Sequence, residues 1–254
     1  MKHELIMGIP VDQITYETVV HDVVDCLQEN NQKLVIASVN PQIIVEAKKY
    51  PEIVDFINES SHRIPDGIGI VIVSKLTKGK ITERVTGFDL MIRLLELADQ
   101  EHKSAFFYGA KPEVLDAAIK NIRESYPNIT IAGGIDGYTS LTEEQVVDQI
   151  NQSKPDFLFV ALGFPRQELW LKRNIPRLQV SVFQDVGGSF DVISGYVNRA
   201  PQLFLDYHLE WLYRSLSNPQ RIGRIFQLPV FVCKSLWWKT KKVKDKSNEK
   251  KQKN

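Results

Sequence analysis

Asp156-Phe157-Leu158-Phe159-Val160-Ala161-Leu162-Gly163-Phe164-Pro165-Arg166-Gln167-Glu168 is the stretch that decides the fold. Its first half is an apolar run without polar alternation, the pattern of a strand buried on both faces. Its second half turns at Gly163 and Pro165 into a polar helix start. Strand, glycine turn and helix opening together are the grammar of a parallel sheet whose crossovers are helices. The same grammar recurs outward along the chain. Predicted strands are Lys33–Val39, Ser104–Tyr108, Asn128–Ala132, Asp156–Leu162 and Val180–Val186. One intervening helix opens with Pro112 and carries Leu115, Ala118, Ile119 and Ile122 on one face. Another starts at Thr142, with Gln145 three residues on as a capping box. No repeat or Gly/Ser-rich linker intervenes, so residues 1–200 are expected to form one α/β unit, a Rossmann-like, largely parallel sheet flanked by helices.

After Pro201 strands give way to helices alone, and residues 201–254 read as a helical appendage. Leu205, Leu209, Leu212 and Leu216 repeat at helical spacing as a core-facing stripe. Asn218 and Pro219 have the residue types of an N-cap and a first-turn proline. In the helix they open, Phe226, Val230, Cys233 and Trp237 fall on one side. The apolar part, Leu228 to Trp238, is far short of the ~20 residues needed to span a bilayer. Apolar residues, then Trp237 and Trp238, then lysines is the order of an element lying in a membrane interface, the reading favoured here. The other reading is a helix packed back on the body.

The chain has 254 residues, with Lys+Arg 32 against Asp+Glu 31 and a formal charge of +1. That near-neutrality hides an asymmetry: residues 239–254 hold eight lysines against Asp245 and Glu249, a balance of +6, which leaves residues 1–238 at −5. An acidic body with a basic end argues against nucleic acid as a partner and for one contact with an anionic surface, although a solubilising lysine tail would look the same. Hydrophobic content of 43% and charged content of 25% fit a globular domain and exclude collagen-like or wholly disordered chains. Cys26 and Cys233 are the only cysteines, which removes a disulfide framework or a cysteine metal cage. The opening MKHELIMGIPVDQ is too polar for a signal peptide, so a cytoplasmic setting is expected. The sequence leaves a homo-oligomer open.

In an open parallel sheet, ligands bind beyond the carboxyl ends of the strands. Three segments sit there: Ser38-Val39-Asn40-Pro41, Gly109-Ala110-Lys111-Pro112, and the Gly163–Glu168 turn. The turns at Gly109 and Gly163 each lead into a helix N-terminus beside a basic residue, Lys111 or Arg166, and so suit the oxygens of a diphosphate. Known nucleotide fingerprints are absent. Gly67-Ile68-Gly69 lacks its third glycine, there is no GxxxxGK[ST], and Gly187-Gly188-Ser189 is not GxSxG. No Asp-x-Asp pair exists to clamp a metal on a diphosphate, so neither metal nor cofactor is expected. Asp66, between Pro65 and Gly67, reads by spacing as turn chemistry and, more sharply, as a catalytic carboxylate on a loop. Arg221 and Arg224, three apart, with Arg214 before them, read as solvated surface or as a fork for the phosphates of a lipid-linked substrate.

The chain resembles the WecB/TagA/CpsF family of bacterial glycosyltransferases. The resemblance rests on Ser38-Val39-Asn40-Pro41, Pro65-Asp66-Gly67-Ile68-Gly69, Arg84-Val85-Thr86-Gly87-Phe88-Asp89-Leu90 and Gly163-Phe164-Pro165-Arg166-Gln167-Glu168. It extends to Arg199-Ala200-Pro201, Leu209-Glu210-Trp211-Leu212-Tyr213-Arg214 and Pro219-Gln220-Arg221-Ile222-Gly223-Arg224, over roughly residues 33–230. The likeness is greatest to the wall teichoic acid branch. It implies transfer of N-acetylmannosamine from its UDP sugar to the 4-hydroxyl of N-acetylglucosamine on undecaprenyl diphosphate. The reaction would invert the anomeric centre without a metal, at the inner face of the membrane. It also implies Asp66 as base, Asn40 and Gln167 as polar groups at the donor site, Arg84 as an active-site arginine, and Arg214, Arg221 and Arg224 as closing over the diphosphates. Ser38 stands where the family more often has Thr, keeping the hydroxyl. Competing readings are a transferase of the same family serving another surface polymer, and a non-catalytic module binding a UDP sugar or lipid diphosphate.

Overall fold

The run at 157–161 lies inside a six-stranded parallel sheet, as its unbroken apolar character requires. The computed structural model describes residues 2–29, 32–207, 209–210, 212–213 and 227–252. The strands of this sheet are β3 (Leu34–Val39), β4 (His62–Pro65), β5 (Ser104–Gly109), β6 (Thr130–Ile135), β7 (Phe157–Ala161) and β8 (Val182–Asp185). Their order is β4-β3-β8-β7-β5-β6, every neighbouring pair parallel. All five predicted strands are present. The third is shifted: the ladder with β5 continues through Gly133, Gly134 and Ile135 after an irregularity at Ala105/Phe106.

The sheet separates two apolar layers. From β3, Val35, Ala37 and Val39 enter one layer, and Leu34 and Ile36 the other. The first layer is covered by α2 (Pro41–Glu46), α3 (Pro51–Glu59), α4 (Ile68–Leu76), α7 (Glu143–Ser153) and α8 (Arg166–Asn174). The second is covered by α1 (Tyr16–Gln28), α5 (Gly87–Gln100), α6 (Pro112–Ser125) and α9 (Ser189–Ile193). Helix α6 opens at Pro112 with Leu115, Ala118 and Ile122 buried, and the Thr142/Gln145 capping box of α7 forms in both directions.

Two features go beyond the sequence reading. An antiparallel hairpin, β1 (His3–Ile6) and β2 (Ile9–Asp12), turns through Met7 and Gly8, both at positive φ. Its Asp12 accepts hydrogen bonds from Arg63 of β4, from N at 2.8 Å and from Nε at 3.1 Å. Strand β4 is an edge strand that pairs only with β3, where Pro65 removes no bond from a central ladder.

The leucine stripe is not carried on one helix. Helix α10 (Gln202–Asp206) stops where Leu209 N–H donates back to Phe204 O at 2.7 Å, and Leu209 and Leu212 follow that turn. Leu216, Asn218, Pro219 and Phe226 lie outside the described residues. The C-terminal helix, Gln227–Gln252, has two faces. Phe231, 1% exposed, and half-buried Leu228 pack into the layer beside α2 and α4, a burial worth on the order of 2 kcal/mol for the phenyl ring. Val230, Cys233 and Trp237 point outward, Trp237 with 67% of its surface exposed. Thus the two readings of this segment divide between its faces: one packs on the body, and the other leaves apolar side chains uncovered.

Candidate active site

Segments leaving the carboxyl edge of β3, β4, β7 and β8 bring polar side chains to one cavity of about 350 Å³. Ser38, in β3, is fixed by Asp185 of β8. Its N–H donates to Asp185 Oδ1 at 2.8 Å and its hydroxyl to the Asp185 backbone oxygen at 3.2 Å. Asn40 caps α2, Oδ1 accepting from Ile43 N–H at 3.0 Å, and Pro41 follows in the first turn. The cap commits the carbonyl of the side chain and leaves its Nδ2 as the donor at the cavity. Asp66 follows β4 directly. Its N–H donates to Val39 O at 3.0 Å, which ties the carboxylate-bearing residue to the end of β3.

The segment entering α5 supplies Arg84, the one cation among the described lining residues. Thr86 then caps α5, accepting from Asp89 N–H at 3.1 Å, while its own N–H donates to the Tyr16 hydroxyl at 2.8 Å. Phe88 also lines the cavity, with the Arg199 guanidinium 4.8 Å from its ring centroid; Arg199 pairs with Asp89. The quoted motif Arg84–Leu90 is therefore a capped helix entry that presents an arginine and an aromatic ring.

Gln167 is the hub. Its Oε1 accepts from Gly163 N–H and from Gly187 N–H, both at 3.2 Å, joining the loops after β7 and β8. Its Nε2 donates to Glu168 Oε1 at 3.0 Å and reaches Asp185 Oδ2 at 3.5 Å. Two N–H donors on one side and two carboxylates on the other fix which end of the amide faces which. Beneath it Asp185 is fully buried, and burial first, then the Glu168 charge, pushes its carboxyl well above the usual range, against the Ser38 N–H. Burial likewise pushes Glu168 up to about 7, opposed by its own backbone N–H in the first turn of α8 and by Gln167.

Of the residues singled out from sequence, Ser38, Asn40, Asp66, Arg84 and Gln167 converge on this cavity. Gly163 touches it only through Gln167. Gly109 is outside its lining. With φ +127° and a hypothetical Cβ 2.4 Å from the Ala161 carbonyl, it lets β5 lie close against β7. Arg166 lines a second cavity of about 320 Å³ between α7 and α8, its Nη2 donating to Gly137 O at 3.0 Å. Arg214, Arg221 and Arg224 lie outside the described residues. Sequence reasoning missed Asp185 altogether and quoted Glu168 without a role. The available signal was Asp185 beside Gln184 in the otherwise apolar strand Val182-Phe183-Gln184-Asp185-Val186, where a buried carboxyl needs a reason. Among the described residues, one group of possible metal ligands is close-set: His21, Asp22 and Asp25 on α1, away from this cavity.

Ligands bind at the carboxyl edge of such a sheet, where this chain carries a polar cavity with a carboxylate and an arginine on its wall, and comparison gives the class as glycosyltransferases. The model of the glycosyl transferase WecG/TagA/CpsF family matches residues 4–245, and the chain belongs to that family. It is 41% identical over 204 residues to the N-acetylglucosaminyldiphosphoundecaprenol N-acetyl-beta-D-mannosaminyltransferase of Bacillus spizizenii, covering 80% of this chain and 79% of that one. It is 35% identical over 230 residues to the protein of the same name from Staphylococcus aureus strain MW2, covering 90% of each.

Proposed function

We propose that this enzyme transfers N-acetylmannosamine from UDP-N-acetylmannosamine to N-acetylglucosamine on undecaprenyl diphosphate, making the β-1,4 bond of a teichoic acid linkage unit. The observation that carries the reading is the similarity to two enzymes of that name over four fifths or more of the chain, with Asp66, Asn40, Arg84 and Gln167 meeting at one cavity. In the reaction the acceptor 4-hydroxyl oxygen attacks the anomeric carbon from the face opposite UDP. As that C–O bond forms, Asp66 takes the hydroxyl proton. The bond to the β-phosphate oxygen breaks, and its electron pair leaves with UDP. Arg84 faces the negative charge that grows on the leaving group, and Asn40 Nδ2 donates to the donor. Gln167 acts through the loops it joins, and the same role in binding the donor falls to Ser38 through Asp185. Arg214, Arg221 and Arg224 are assigned to the lipid-linked diphosphate from their sequence alone. Metal plays no part in this scheme.

The same reading places the enzyme peripherally on the inner face of the membrane. No helix of the described residues is long and apolar enough to cross one. The outward face of the C-terminal helix supports a surface contact, since Val230 and Trp237 are exposed and Lys241 Nζ lies 5.6 Å from the Trp237 ring centroid. The deciding experiment incubates the enzyme with UDP-N-acetylmannosamine and a short-chain lipid-diphosphate N-acetylglucosamine. Release of UDP with a product heavier by one N-acetylhexosamine is expected. Turnover with another UDP sugar and none with this one would assign a different polymer, and no UDP release with any donor would leave a binding module.

A further inference from the structure

Four carboxyl groups, Asp66, Glu168, Asp185 and Glu210, line the cavity with one arginine, Arg84, among the described residues. The proposed donor brings a diphosphate, so the wall faces its ligand with the wrong sign unless some of that charge is cancelled. Two of the four are built as a pair. A single amide, Gln167 Nε2, lies 3.0 Å from Glu168 Oε1 and 3.5 Å from Asp185 Oδ2. The outer oxygen of Glu168, Oε2, is buried with no hydrogen-bond partner among the described residues. An ionised oxygen in that position has nothing to compensate it, whereas a protonated one is neutral.

We propose that Glu168 and Asp185 hold a proton between them beneath the cavity, and that donor binding tightens their hold on it, so that the diphosphate enters beside a neutralised floor. The inference rests on the transferase reading given above. The titrating groups that face the pair are Asp66 at the end of β4 and Arg84 ahead of α5, with Glu210 across the cavity; the side chains of Ser38, Thr86 and Ser189 there do not titrate. Burial and mutual repulsion favour the protonated pair, and Ser38 N–H on Asp185 Oδ1 favours its charge. A diphosphate adds repulsion without adding any donor, so the balance moves toward proton uptake from solvent. Glu168 and Asp185 are thus positioning residues. They touch neither the acceptor hydroxyl nor the bond that breaks.

The test is calorimetric titration of the full chain with UDP-N-acetylmannosamine, whose diphosphate diester has no group titrating near neutrality. At pH 7.5, in buffers of different ionisation heat, net uptake of a fraction of a proton per donor bound is expected. Affinity should weaken by up to ~10-fold per pH unit above the titration of the pair. In Glu168→Gln, an amide replaces the neutral acid, and both the uptake and the pH dependence between 6.5 and 8.5 should vanish. Donor binding without proton uptake in the wild type, or uptake that persists in Glu168→Gln, overturns the inference. Should that variant not fold, the wild type decides alone: proton uptake on donor binding across the buffers sustains the inference, and its absence overturns it. If the wild type does not bind the donor at any pH, the choice of donor fails, and this inference with it.

Discussion

Asp66 is the residue on which the proposed chemistry turns. Its backbone N–H is tied to Val39, so Asp66→Asn removes the base without loosening the loop. Turnover should fall by ~10²–10⁴ with the circular dichroism spectrum unchanged, and a near wild-type rate would return Asp66 to turn chemistry. Glu168 makes a separate prediction about stability. Its carboxyl rises from 4.5 to about 7 on folding, so the folded state binds the proton more tightly. Its contribution is therefore full below pH 4.5 and declines as pH rises toward 7, by about 3 kcal/mol in all. Melting curves should show Glu168→Gln gaining on the wild type at pH 8 and not at pH 4. At this scale the sequence was legible at Asn40, which directly follows a predicted strand, whereas Asp66 follows a strand that was not predicted and was singled out only by its place between Pro65 and Gly67. It was not legible for Asp185, because a carboxyl inside a strand is read as an interruption until the N–H of Ser38, 147 positions away, is seen to meet it.

Elements were legible in proportion to their burial. β7 is covered on both faces and announces itself as an unbroken apolar run, β3 as one broken only by Ser38 and β8 as one that ends in Gln184 and Asp185, whereas four-residue β4 carries His62 and Arg63 and pairs on one side only. The C-terminal helix was half legible. Val230, Cys233 and Trp237 were grouped correctly, but the face that docks is Leu228 and Phe231. That docking is close, since a Cβ on Gly69 of α4 would lie 2.5 Å from Leu228 Cδ1 and 2.9 Å from Pro41 Cγ. Gly69→Val should push the helix off while the sheet stays folded, read as faster proteolysis at the terminal lysines with unchanged far-ultraviolet ellipticity of the body. Deleting residues 237–254 keeps Leu228 and Phe231 in place. Stability should then change by less than about 0.5 kcal/mol while sedimentation with anionic liposomes is lost, since each lysine near such a surface is worth about 1 kcal/mol. Equal sedimentation of the shortened chain would make the tail a solubilising extension.

Over the whole molecule, the charge asymmetry between an acidic body and a basic end fits the proposed division of work, in which one end handles a sugar nucleotide and the other a surface. Catalysis should persist in EDTA, because the scheme gives the leaving group only arginines and N–H donors. Loss of turnover on chelation, restored by Mg²⁺ or Mn²⁺, would show that scheme to be wrong. The seat of the C-terminal helix has a mechanical consequence. It rests on α2 and α4, and those are the helices that begin immediately after Asn40 and Asp66–Gly67. The helix is a lever whose short arm ends at Asn40 and Asp66, the two side chains that the proposed reaction assigns to the donor and the acceptor. A bilayer that grips the long arm, through Trp237 and the lysines, would pull on both at once. Rate per adsorbed enzyme should then vary with the lateral packing of the vesicle at constant acceptor density, a dependence that a simple tether would not produce.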